Sequence, residues 1–370
     1  ANRFFTETSD GKFTYIFEVI DWIRLPKNSD NEDYCAWDIG HKEDYNTLLQ
    51  LAAQQKDISV YDTILILPSL GCAGRYKGGA PGWTYYQRIR GKHLAMANAG
   101  YYELPPDAQL SYLETIIVHE LGHTLDYNHA GGISCSSRVF TPQIFYTRNS
   151  VPNVGNCRTT VYGNNLDAMG AGSGDFNALR KKISGWIDDS SRLLIRQSGV
   201  YSLAPSNSNS GIRYAEIIAT GEAPSPDYLG DTYYVEYRTP IIFYTPWVID
   251  SEGPGLAIVG KGFNLSYITS YMYDYLVRVY TIDNDGMRHE DSLLNVGEPP
   301  LTDTRYNLVI GPVWSADNNS IRFEVRFPGS GPFVELSASP RTVLYGGSVT
   351  LSWIASPDVV CYASGGGGGW

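Results

Sequence analysis

Six histidines are spread over 370 residues, and three of them fall in one eleven-residue run, His119-Glu120-Leu121-Gly122-His123-Thr124-Leu125-Asp126-Tyr127-Asn128-His129. On a helix, His119 and His123 lie one turn apart on one face. Two imidazoles so placed can share a tetrahedral zinc ion. Glu120 stands one residue round the helix, within reach of a water at the metal without being a ligand. If the helix ends after Leu125 and the chain turns sharply, His129 swings back as a third ligand. Three protein ligands leave one position open, the mark of a catalytic rather than a structural zinc. The competing explanation is a helix whose histidines are solvated or satisfied in the core. It leaves a third histidine at this offset as coincidence.

The run resembles the zinc signature of the metzincin metallopeptidases, His-Glu-x-x-His-x-x-Gly-x-x-His. One position departs, because Asp126 stands where that family has Gly. The Gly allows a positive φ at the turn, and Asp is among the few other residues that tolerate the left-handed conformation. Asp167-Ala168-Met169-Gly170 resembles the methionine turn of the same family, which makes Met169 an apolar floor under the imidazoles and not a ligand. In astacin- and serralysin-type members a Tyr follows two residues after that Met. Here the position is Ala171, so a tyrosine from that place is missing and Tyr162 or another tyrosine is left to reach the site. Met169 to Ile187 is similar to the turn, helix and Gly-Trp ending of gametolysin-type peptidases. Tyr233 to Arg238 and Leu293-Leu294 resemble the β-domain of that group and of immune-inhibitor-type peptidases. Val349 to Ser364 is similar to Ig-like repeats appended to secreted bacterial hydrolases, which makes Cys361 either half of a bridge or a free thiol.

The resemblance implies an α+β protein, with a metzincin-type catalytic domain of twisted sheet plus helices followed by a β-sandwich-like domain. It implies a secreted endopeptidase with one catalytic Zn²⁺ on His119, His123 and His129, and Glu120 as general base. Its partner is a protein or peptide substrate, and a monomer is expected. Substrates of the family lie extended, antiparallel to an edge strand, and Lys92 to Asn98 is the expected strand. The alternative is a catalytically inactive metal-binding adhesion module. Glu120 argues against it, since a relic site has no need of a base.

The elements that must position these groups follow from periodicity. Lys12 to Trp22 and Tyr61 to Leu67 read as strands, rich in β-branched and aromatic residues. Lys42 to Lys56 reads as an amphipathic helix with Tyr45, Leu48, Leu49 and Ala52 on one side. Pro105-Pro106-Asp107 starts a helix that carries the motif, from about Ala108 to His123. Phe176 to Trp186 is again helical. From about Leu193, short strand-like runs recur between Gly, Pro, Asn and Asp clusters, as in a sandwich or barrel. Domains are therefore expected at 1–190 (catalytic), 191–328 (β-rich) and 329–370 (two strands opening an Ig-like repeat).

Composition narrows the classes further. A net charge of −11 repels phosphate backbones and argues against nucleic-acid binding. No apolar run approaches the ~18 residues of a membrane span. Ala1 opens the chain without a basic and apolar leader pattern, as expected of a chain whose presequence has been removed or trimmed away. None of the five cysteines forms a Cys-x-x-Cys pair. Neighbours in sequence suggest Cys35–Cys72 and Cys135–Cys157, although four cysteines allow three connectivities. Disulfides fit a secreted protein. Asp283-Asn284-Asp285-Gly286 begins like a calcium loop, but its twelfth position is Leu294 and not Glu, so a hairpin turn is preferred to a second, Ca²⁺ site. Gly71 to Gly82 is too irregular for a phosphate loop and reads as a surface loop. His93 reads as structural, and His41 and His289 lack metal-like spacing.

Overall fold

The computed structural model describes residues 1–24, 42–67, 85–89, 92–97, 106–140, 157–160, 162–170, 174–219, 232–239, 255–263, 272–282, 288–291, 293–317, 319–329, 334–339 and 347–355. In chain order the elements begin with α1 (Asn2–Thr8), α2 (Lys42–Gln55), β1 (Thr63–Ile66), β2 (Tyr85–Ile89), β3 (Lys92–Met96) and α3 (Pro106–His123). They continue with β4 (Ala130–Cys135), β5 (Val139–Phe140), β6 (Cys157–Thr160) and α4 (Ala178–Ile183). Next come β7 (Arg192–Ile195), β8 (Gly199–Leu203), β9 (Tyr214–Ile218), β10 (Thr232–Arg238), β11 (Gly255–Phe263), β12 (Met272–Ile282) and β13 (Arg288–Asp291). The last are β14 (Leu301–Asp303), β15 (Leu308–Ala316), β16 (Ile321–Arg326), β17 (Val334–Ser339) and β18 (Thr350–Ala355). The protein combines helices with mixed sheets and is α+β.

Three strands, in the order β1-β3-β2, form a small sheet against which α3 lies. An eight-stranded sheet runs β6-β4-β12-β11-β10-β9-β7, with β13 paired to β12, and a five-stranded sheet runs β5-β14-β15-β16-β8. The two larger sheets share one apolar core, in which Ile133, Ile217 and Val235 of the first meet Leu308, Phe323 and Val325 of the second. The large sheet takes β4 and β6 from before residue 190 and β7 and β9 to β13 from after it. Residue 190 therefore separates two sequence textures but not two hydrogen-bonded units. The joint is β4, which pairs in parallel with β12, Ala130 opposite Asp274. Parallel pairing needs a long crossover, which no local pattern announces. β17 and β18 form a separate antiparallel pair.

Two strand expectations need correction. Residues 12–24 form no strand. Phe13 and Tyr15 instead turn onto Phe5, with Phe13 stacked on Trp186 at 5.5 Å. Their alternation with exposed Ile16 (87%), Val19 (92%) and Trp22 (79%) is satisfied by an aromatic cluster and not by a ladder. Second, Lys92–Met96 is not an edge strand. It lies between β1 and β2, with Leu94 opposite both Ile64 and Gln87. Among the described residues, β1 and β2 are the edges of that sheet.

Cys135 and Cys157 face each other across β4 and β6 and form a disulfide. Cys35, Cys72, Cys361, His41, Gly71 to Gly82 and the Asp283-to-Gly286 turn lie outside the described residues. β12 and β13, on either side of those residues, pair antiparallel. Among the described residues no helix is long and apolar enough to cross a membrane.

Helix α3 is shaped by what lies beneath it. A Cβ built on Gly122 would sit 2.3 Å from Met169 Sδ and 3.5 Å from the Phe176 ring. Met169 and Phe176 are fully buried, so neither has free volume to yield. In an ordinary helix interior, Gly→Ala stabilises by about 1 kcal/mol. Here we expect Gly122→Ala to destabilise by roughly 1–3 kcal/mol through overpacking. Urea unfolding checks the sign; a stabilised variant would show that Met169 moves freely.

Candidate metal centre

The helix places His119 and His123 one turn apart, and the chain then reverses. Asp126 takes φ +61°, the left-handed conformation that the turn demands. Its N–H donates to the His123 carbonyl at 3.0 Å, and the Tyr127 N–H donates to the Gly122 carbonyl at 3.3 Å. This reversal brings His129 back to the other two imidazoles. The candidate ligand atoms of His119, His123 and His129 all lie within 4.8 Å of one another.

The orientation of two rings is determined by their carbonyl partners. His119 Nδ1 lies 2.8 Å from the Ala168 oxygen and His123 Nδ1 2.7 Å from the Tyr127 oxygen. A carbonyl only accepts, so each Nδ1 carries the proton and each Nε2 presents a lone pair. His123 Nε2 and His129 Nε2 are 3.2 Å apart. Zn–N bonds of about 2.0–2.1 Å at the tetrahedral angle set two nitrogens about 3.3 Å apart, so the spacing fits a shared zinc. Burial, aided by repulsion from the neighbouring imidazoles, lowers the pKa of His119 to about 3. Burial likewise lowers His123 to about 4 and, with His123 adding to it, His129 to about 3. All three are neutral at pH 7, the form that ligates.

Glu120 is fully buried, with Oε1 3.9 Å from His119 Nε2. His119 is neutral, so this contact places the carboxylate beside the ligand set without forming an ion pair. Tyr162 lies with its ring centroid 4.0 Å from that of His129 and 6.0 Å from that of His119. Burial, then the nearby Glu120 charge, raises its pKa. The tyrosine missing two residues beyond Met169 is thus matched by another beside the imidazoles.

Met169 is fully buried next to Gly122, between the two histidine positions of α3. Its turn is held by Asp167, a residue whose role is invisible in the motif. Asp167 Oδ1 accepts from the Met169 N–H at 2.7 Å, and Oδ2 accepts from the Asn177 N–H and Nδ2 at 2.8 and 2.7 Å. The Met169 carbonyl accepts from the Ala130 N–H at 2.8 Å, tying the turn to the start of β4 just after His129. The one sequence signal for Asp167 is its place two residues before the Met, where a short acceptor closes a turn. His93 lies in β3, outside the three-histidine group.

No family model, curated protein or solved structure matches this chain.

Asp126 is exposed, and its φ of +61° is the conformation the reversal requires. The contribution on view is backbone geometry. We expect Asp126→Gly to keep zinc affinity, because Gly enters φ > 0 without a Cβ clash. Asp126→Val puts a β-branched residue there, at a cost of about 1–3 kcal/mol, and misplaces His129 three residues on. Zinc titration of the two variants checks this. Weakened binding in the Gly variant would show that the carboxylate itself supports the site.

Proposed function

We propose that the chain is a secreted zinc-dependent endopeptidase of metzincin type, nearest in pattern to the gametolysin-like enzymes. One observation carries the reading: three neutral imidazoles converge, two of them held by carbonyls at Nδ1 so that Nε2 presents its lone pair, beside a buried carboxylate outside the three-histidine group. Three nitrogen donors are the set a catalytic zinc takes, and His119, His123 and His129 would hold it. Bound there, zinc would supply Lewis-acid polarisation of a carbonyl and would acidify water. Glu120 accepts a proton from the attacking water and hands it to the departing amine. Its burial keeps bulk water from competing for that proton. Met169 and Asp167 keep the floor of the site fixed, and Tyr162 fills the space beside His129. A peptide substrate adds in extended form to β2, which among the described residues is an edge strand that touches α3, and is bound chiefly by backbone hydrogen bonds.

The test is an internally quenched peptide blocked at both ends. Cleavage inside the peptide, abolished by a chelator and restored by added zinc, is the expected result. A blocked peptide that stays intact in the presence of zinc-loaded protein would overturn the endopeptidase reading and leave a metal-binding module.

A further inference from the structure

The turn that orients His119 hangs on a run of hydrogen bonds that ends in the β-rich part of the chain. The Ala168 carbonyl accepts from His119 Nδ1 at 2.8 Å. The peptide that contains this carbonyl is fixed on its other side, where the Met169 N–H donates to Asp167 Oδ1. The second Asp167 oxygen accepts twice from Asn177, at 2.8 and 2.7 Å. The two residues before Asn177 are gripped from β10. Arg238 donates from both terminal nitrogens to the Asp175 carbonyl, at 3.2 and 3.3 Å, and from one of them to the Phe176 carbonyl at 3.3 Å. Glu236 Oε1 accepts from the same guanidinium at 2.8 Å and steadies it.

Asp167, Asp175, Asn177, Glu236 and Arg238 are all buried. Burying an Arg–Glu pair seldom stabilises a fold more than an apolar pair of the same size would. What a guanidinium does supply is geometry: a planar fork of donors that can fix two successive carbonyls. The two carbonyls it fixes lie immediately before the residue that clamps Asp167. An imidazole's metal affinity depends on the acceptor at its other nitrogen, and loss of such a partner typically weakens binding by roughly 10- to 100-fold.

We propose that Arg238 is a positioning residue for the metal centre, acting on His119 through the Asp175–Asn177 backbone, the Asp167 carboxylate and the Ala168 carbonyl. The inference rests on the zinc-site reading above. The β-rich part of the chain is, on this account, part of the machinery that holds the metal.

The test measures zinc affinity by chelator competition, the visible spectrum of the cobalt-loaded protein and the Tm of the metal-free protein. In the paired variant Glu236→Gln/Arg238→Met no buried charge is left without its counter-charge. It should weaken zinc roughly 10-fold and change the cobalt spectrum. Arg238→Lys keeps the charge but loses the fork, so it should fall between. Phe323→Leu, in the core between the two large sheets, serves as a control that lowers stability away from the site. It should leave affinity and spectrum unchanged. Parental affinity in the paired variant, or equal weakening in a control of matched Tm, overturns the proposal. Should the paired variant not fold, Arg238→Lys decides by the same criteria. Peptide cleavage is recorded in parallel. A parent that binds zinc but cuts nothing overturns the peptidase reading alone, whereas a parent that binds no zinc overturns both.

Discussion

Glu120→Gln is expected to lower peptide hydrolysis by at least ~10²-fold while the zinc content of the protein stays that of the parent, since a positioned base contributes about 10²–10⁴-fold. The substitution keeps size and planarity but removes the basic oxygen. Glu120 is fully buried, and a neutral amide is easier to bury than a carboxylate, so the variant should fold. Glu120 is outside the His119–His123–His129 group, so the metal has no reason to leave. Turnover of the blocked peptide and zinc content measured on the same sample check both halves. Near-parental turnover would refute the base role, and loss of zinc would make Glu120 part of the metal's support.

His129→Ala is expected to weaken zinc by more than the roughly 10- to 100-fold typical of losing an outer hydrogen-bond partner, because it removes a ligand outright. His123 Nε2 loses the neighbour that stands 3.2 Å away, and two donors remain. The comparison is His93→Ala, in β3 and outside the group, which should bind zinc as the parent does. Dialysis of both variants against a mild chelator, followed by metal analysis, separates them. Equal metal content in the two would count decisively against the three-imidazole site.

The candidate ligands were legible because they are local. Two lie one helical turn apart, and the third follows a turn whose only demand is a residue that accepts φ > 0, which Asp126 meets. Helix α3 and strands such as β10, β12 and β16 also appear in periodicity. What could not be read is pairing at long range. Phe13 and Tyr15 have strand-like alternation yet find aromatic neighbours in place of a ladder. Lys92–Met96 looks like any short strand, and only β1 and β2 make it central. Glu236 and Arg238 were hidden for another reason: every residue of β10 is buried, so polar residues there cannot be placed by an inward-outward alternation. Asp167 was hidden inside a motif noticed for its methionine.

The parallel pairing of β4 with β12 has a consequence in time. His129 is followed directly by β4, whose ladder partner comprises Met272–Ile282. A chain emerging from the ribosome makes all three histidines long before it makes that partner. Contacts so distant in sequence form slowly, because the loop between them must close first. The site is therefore expected to mature only after residue 282 has been made and has found β4. A nascent chain would carry all three imidazoles before the strand that follows His129 has its ladder partner.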